Sequence, residues 1–304
     1  MPNLFRTRAR TFWFAAHFLP HDRRPAVVGL YEFARLVDDL VDDPPPTYTR
    51  KRVREELNGW RTWLEHSATV TPPDQHLAAR VAPALLANGV PTRYLQMLVD
   101  GVASDIDRTE TRDWSELREY CIQVASSVGL AMCYLLGVGD DPFACAAAME
   151  LGIAMQLTNI LRDVGADLAL GRVYLPTDEM AAQGLLRDRL GWLAARVAQR
   201  GGGAIDNAFR EFIRSQVARA REHYARGLEG LWHLPSNCQL SILLAGRLYR
   251  AILDDVERAN YDVFTRRAAT STWHKVSEAA RCSVAVRRPS RAPVSRSNVL
   301  VVQR

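Results

Sequence analysis

Long hydrophobic runs are missing from this chain. The longest nearly apolar stretch, Val128 to Val138, falls short of the ~20 residues that cross a bilayer, so the sequence predicts a soluble or peripheral protein. Nor does a secretory signal open it, since Arg6, Arg8 and Arg10 precede only a short aromatic stretch broken by His17. Cysteine is sparse and unpatterned. Cys121, Cys133, Cys145, Cys238 and Cys282 form no C-x-x-C pair and no His/Cys cluster of zinc spacing. Their odd number and apolar surroundings predict reduced core residues of a cytosolic protein. There is no H-E-x-x-H, no G-x-x-x-x-G-K-[ST] and no strand followed by G-x-G-x-x-G. Zinc-protease, P-loop and dinucleotide-fold chemistry are thereby excluded, and Gly201-Gly202-Gly203 reads as a flexible break after a helix.

Acidic residues are absent from Ser283–Arg304, which holds Arg287, Arg288, Arg291, Arg296 and Arg304. Those charges equal the whole formal excess of +5, so the body of the chain is close to neutral. No basic recognition helix with interleaved aromatics is present, which removes nucleic acid as a partner. The tail reads as a solvated, disordered end, with contact to an anionic membrane surface as the alternative.

What is present is helical periodicity, with little strand alternation. The pattern predicts an all-α domain over residues 1–282 and a basic tail over 283–304. Helices are expected over about Arg24–Asp43, stopped by Pro44-Pro45-Pro46, and over Arg50–His66 and Thr92–Ile106. One long helix starts at Asp113 with Glu116 and runs to Leu136. The next is capped by Asp141, opens on Pro142, runs to Leu170 and ends at Gly171. Val173–Pro176 is expected to be a loop. Further helices fall near Thr177–Gln183, Leu185–Gln199, Ile205–Leu231 and Ser236–Asn260.

Two of these helices carry acidic stripes. Tyr31, Arg35, Asp38 and Asp42 are spaced 4, 3 and 4, which places them on one helix face between apolar neighbours. Carboxylates at i and i+4 repel, and a helix C-terminus disfavours anions. A bound divalent cation offsets both penalties. Gln156, Asn159, Asp163 and Asp167, spaced 3, 4 and 4, form a second stripe behind an apolar segment, Ala144 to Met155. One such stripe alone reads as a solvated acidic end. Two together, with Arg35 and Arg162 in register, point to a cavity where magnesium joins carboxylates to a diphosphate.

At these residues the sequence resembles the squalene/phytoene synthase family of head-to-head prenyltransferases. The similarity spans about Thr11 to Lys275. It begins with Thr11-Phe12-Trp13-Phe14-Ala15 and Phe18-Leu19-Pro20, and continues through the first stripe and Tyr120-Cys121 with Val124–Gly129. It then covers Gln156–Asp167 with Gly171–Pro176, and closes on Tyr249 and Asn260–Arg267. Thr11, Ile122, Ser126-Ser127 and Ala166 depart from the family's usual residues.

The resemblance implies a single-domain isoprenoid-synthase helical bundle with a central cavity. It assigns magnesium, with manganese as a substitute, to Asp38, Asp42, Asn159, Asp163 and Asp167. It assigns catalysis to Asp38, Asp42, Asp163, Asp167 and Tyr120, and substrate contacts to Phe12, Tyr31, Arg35, Gln156, Asn159, Arg162, Tyr249 and Arg266. The implied reaction joins two allylic diphosphates through a cyclopropylcarbinyl diphosphate. The bacterial phytoene-forming branch is favoured: two geranylgeranyl diphosphates, no NADPH. The alternative is a C15-using relative making presqualene diphosphate, dehydrosqualene or squalene. Terpene cyclisation and a non-catalytic assembly role are the other readings, opposed by Arg172–Pro176 and by the intact carboxylates respectively. Lipophilic substrate and product lead to an expected cytoplasmic protein, peripheral to the inner face of a membrane or handing over to a downstream pathway enzyme.

Overall fold

The computed structural model describes residues 10–66, 69–200, 205–265, 267–268 and 272–287. Among these residues the chain is built of helices and one two-stranded ladder. The helices are α1 (Arg10–Ala16), α2 (Arg24–Asp42), α3 (Arg50–Glu65), α4 (Gln75–Ala87), α5 (Thr92–Ser104), α6 (Trp114–Cys121) and α7 (Ser127–Leu135). After them come α8 (Pro142–Ala169), α9 (Thr177–Ala182), α10 (Arg187–Arg200), α11 (Asn207–Glu229), α12 (Ser236–Arg258) and α13 (Thr272–Arg287). The ladder pairs β1 (Glu110–Thr111) with β2 (Val173–Pro176) in parallel.

The ends of α8 follow from its sequence. The Asp141 side chain accepts a hydrogen bond from Ala144 N at 2.7 Å, and Pro142 occupies the first turn. At the other end Gly171 adopts φ +80°, open to glycine without steric cost. Between them α8 is the structural axis, packed by α7, α11, α12 and a wide turn between α6 and α7. Its length and mean hydropathy of 1.3 would allow it to cross a membrane. Its contacts make it a core helix instead.

Two apolar cores flank α8. One gathers α6, α8, α10, α11 and part of α12, with Phe209, Phe212 and Tyr224 fully buried. The other joins α2, α3, α4, α5 and α7 around Phe33 and Trp60, whose rings meet edge to face at 5.4 Å. A smaller cluster ties α1 to α12 and α13.

Several elements differ from the pattern. The helix expected from Asp113 to Leu136 contains a π-helical turn, Ile122–Ser126. Val173–Pro176 is a strand because Val173 N donates to Thr109 O at 2.9 Å, drawing the two extended segments together. α4 was hidden by Pro83 in its interior, although Leu77, Ala78, Val81 and Leu85 form a buried stripe. α13 runs five residues past Cys282, so Ser283–Arg287, which the pattern gave to the tail, are helical.

Candidate active site

α2 and α8 both line one cavity of about 1090 Å³, and their lining residues change character along each helix. On α2 the lining passes from Val27 and Leu30 to Arg35, Asp38 and Asp42. On α8 it passes from Ala144, Ala148 and Leu151 to Gln156, Asn159, Asp163 and Asp167. At 1.5 Å rise per residue, the apolar part of α8 from Ala144 to Met155 gives about 16 Å of wall. The two polar halves lie at the same end, because Arg172, just beyond α8, reaches Asp42 at 2.7 Å. Amphipathic helices facing one cavity in this way make a chamber with one charged end and one apolar end.

Every site residue expected from the sequence and described in the structure lines this chamber: Phe12, Tyr31, Arg35, Asp38, Asp42, Tyr120, Gln156, Asn159, Arg162, Asp163, Asp167 and Tyr249. Arg266 lies outside the described residues. Its neighbour Arg267 lines the cavity, with Nε at 2.7 Å from Asp163 Oδ1 and Nη2 at 2.9 Å from Oδ2. The sequence reading missed this fork. It also missed Asp105 and Tyr174, which line the same cavity from the end of α5 and from β2.

The charged groups are arranged in pairs. Arg35 bonds Asp38 at 2.9 Å and also Asp39. Asp163 is held by Arg162 and Arg267. Among the described residues, Asp167 has no arginine within ion-pair distance. Tyr249 donates to Asn159 Oδ1 at 2.8 Å, Asn159 donates to Gln156 Oε1 at 3.1 Å, and Phe12 lies 4.9 Å from the Tyr249 ring. These contacts fix the orientation of the Asn159 amide, its oxygen toward Tyr249 and its nitrogen toward Gln156.

Electrostatics separate the carboxylates. Burial within the fold and the nearby charge of Asp42 push Asp38 up to about 7, although its carboxyl remains open to the cavity. Burial, Asp163 and Asp42 push Asp167 up to about 7. Burial also works to raise Asp163, but the Arg162 and Arg267 guanidinium groups outweigh it and hold its carboxyl below the usual range. Tyr31 is raised by burial to about 12.

A second polar cluster stands beside the stripes. Asp105 is buried, and its Oδ2 accepts the Tyr120 hydroxyl at 2.7 Å. The Arg108 guanidinium lies 4.7 Å from the Tyr120 ring centre, and Tyr174 stacks on Tyr120 at 5.1 Å. Asp105 Oδ1 and Arg108 Nε are 3.3 Å apart but misaligned, so neither is satisfied by a hydrogen bond. Burial raises Asp105 to about 6 against the pull of Tyr120 and Arg108.

Among the described residues, no three His, Cys, Asp or Glu side chains form a ready-made metal cage. The donors present are carboxylate and amide oxygens only, on two walls, two of them destabilised as anions. Such a set fits magnesium, which binds one or two carboxylates and completes its octahedron with water and substrate phosphate.

The family model for squalene/phytoene synthase matches residues 5–274. The chain is 34% identical over 273 residues to "Phytoene synthase 2, chloroplastic" of Oryza sativa subsp. japonica, covering 88% of this chain and 65% of that protein. It therefore spans just under two thirds of that relative's length. It is 32% identical over 280 residues to the phytoene synthase of Arthrospira platensis, covering 88% of this chain and 86% of that protein. Among solved structures, a dehydrosqualene synthase in complex with ligand superposes with TM-score 0.79 at 25% identity, covering 93% of this chain and 94% of that one. The squalene synthase HpnC from Alicyclobacillus acidocaldarius shares the fold, with TM-score 0.72 at 24% identity over 86% of this chain and 92% of that one. With its motifs gathered on one chamber and the family model spanning nearly all of it, the chain belongs to the squalene/phytoene synthase family.

Proposed function

We propose that this chain is a prenyltransferase that joins two geranylgeranyl diphosphates head to head into phytoene. The observation that carries the reading is the chamber of about 1090 Å³, with carboxylates on both walls of its polar end. Its volume lies just above the ~300–1,000 Å³ range of ordinary ligand sites, in keeping with a site for two long chains. Named phytoene synthases at 32–34% identity support the same reading.

Asp38, Asp42, Asn159, Asp163 and Asp167 would hold magnesium, with manganese as a substitute. When bound, the metal supplies positive charge that binds diphosphate and favours its departure. Arg35, Arg162, Arg172 and Arg267 stand at the same end and would donate to phosphate oxygens, with Arg266 adjacent to Arg267 in sequence. Phe12, Tyr31, Gln156 and Tyr249 would orient the first carbons of the chains. The apolar walls exclude water, which would otherwise quench a carbocation. The stacked rings of Tyr120 and Tyr174 offer π-faces to positive charge. The Tyr120 hydroxyl, bonded to Asp105, would receive the proton lost as the cyclopropane closes and pass its own to that carboxylate. Product would then form as the second diphosphate leaves, the cyclopropane ring opens by rearrangement and a second proton is lost, without NADPH.

A C15-using reading is favoured by one observation, the TM-score of 0.79 to a dehydrosqualene synthase. Incubating the pure protein with farnesyl or geranylgeranyl diphosphate, Mg²⁺ and no NADPH separates the two. A C40 hydrocarbon is expected. C30 product alone would overturn the phytoene reading.

A further inference from the structure

The helix α13 uses its two faces differently. Ala279, Cys282 and Val286 pack against α12 and α1, and Lys275 borders the cavity. The opposite face carries Trp273, 85% exposed, Val276, 51% exposed, and Val284, 53% exposed, with exposed Ala280 between them. At 100° per residue Trp273, Ala280 and Val284 fall on one stripe, with Val276 at its edge. A helix anchored by one apolar face has no folding reason to present a tryptophan stripe on the other.

The flank of this stripe is basic. His274, Glu278, Arg281 and Ala285 line a cleft of about 600 Å³ together with Trp232, Arg247, Arg250 and Asp254. The acids there are already engaged: Glu278 by Arg247 and Arg281, and Asp254 by Arg221. Exposed Arg250 has no ion-pair partner among the described residues. Arg287 ends the helix, and the sequence beyond it adds Arg288, Arg291, Arg296 and Arg304 with no acid, interleaved with Val294 and Val299-Leu300-Val301-Val302. Exposed tryptophan and valine bordered by arginine on an interfacial helix match the charge and polarity of an anionic lipid surface.

We propose that the outer face of α13, with the arginine-lined cleft beside it, docks the protein on an anionic phospholipid bilayer. The inference does not depend on the chain length of the substrate. It assigns the contact to a folded helix face.

The test is co-sedimentation of the full chain with vesicles of phosphatidylcholine, with and without phosphatidylglycerol. Binding is expected only with the anionic lipid, and it should weaken with salt. The double variant Trp273→Ser/Val284→Ser should partition at least tenfold more weakly, a difference of about 1.4 kcal/mol. Arg250→Gln should bind about fivefold more weakly, as expected for one basic residue near such a surface. These residues are exposed, so circular dichroism and thermal midpoint should match the native chain. As an independent readout, brominated lipid should quench native tryptophan fluorescence, and Trp273→Phe should lose much of that quenching while still binding. Equal partition of the double variant, no anionic preference, or a Trp273-dependent dimer without vesicle binding would each overturn the proposal.

Discussion

Gly165→Ala isolates the contact that brings Arg267 to the site. Gly165 sits on α8 between Asp163 and Asp167, and its N–H donates to Val263 O at 3.3 Å. A Cβ there would stand 3.0 Å from Val263 O and 3.1 Å from Phe264 Cα. Both neighbours are backbone, so the segment carrying Arg267 must move by a few tenths of an ångström. Two stability effects oppose each other. Alanine in a helix interior gains ~1 kcal/mol over glycine. Overpacking costs ~1–3 kcal/mol. The net loss should be no more than ~2 kcal/mol, a shift of roughly 4–8 °C in thermal midpoint.

Activity should suffer as well. The Arg267 fork has both bonds under 3 Å to Asp163; misplacing a positioning group by ~1 Å can cost ~100-fold, so a shift of a few tenths of an ångström should cost roughly three- to fivefold. The assay is diphosphate release with prenyl diphosphate and Mg²⁺, run on Gly165→Ala, Arg267→Ala and the double variant. Because Gly165→Ala acts through Arg267, this loss should appear in the native background and vanish once Arg267 is gone. Equal losses in both backgrounds, or full activity of Gly165→Ala, would refute the reasoning.

Three further outcomes rest on the same geometry. Asp38 and Asp167 are both raised to about 7, against ~4 when unfolded, so the native state binds more protons within that window and metal-free stability should fall as pH rises from 5 to 8. Thermal melts at the two pH values check this, with Mg²⁺ and pyrophosphate expected to restore more at pH 8; a rising midpoint would contradict it. Tyr120→Phe leaves the buried Asp105 carboxylate without its 2.7 Å donor, and urea titration should show a loss of ~1–3 kcal/mol, with no loss contradicting the assigned bond. Arg172→Ala removes the bridge from the end of α8 to Asp42, so KM for the diphosphate should rise while the urea midpoint changes little.

The two stripes were legible because helical spacing alone determines which residues share a face. Asp38 with Asp42, and Asn159 with Asp163 and Asp167, needed no tertiary information. Asp105 was not legible: it belongs to neither acidic stripe, and only folding brings Tyr120 and Tyr174 to it at the end of α5. Arg267 was assigned no role, because its partner lies 104 residues earlier and meets it only through the close approach at Gly165. Arg172 stood inside a quoted motif, but its bridge to Asp42 spans 130 residues. Among the helices, α4 was concealed by Pro83, and α13 by apolar residues on both faces, which erase the amphipathic signal. The π-helical turn leaves no periodic trace, since one wide turn only shifts the register of the residues after it.

The central claim is that the stripes on α2 and α8 work as one site. Calorimetric binding of pyrophosphate to the native chain, Asp38→Asn and Asp163→Asn, each with and without Mg²⁺, tests it most directly. The account predicts binding that requires Mg²⁺ and is severely weakened by either substitution. Metal-independent binding, or loss with one wall and none with the other, would contradict it.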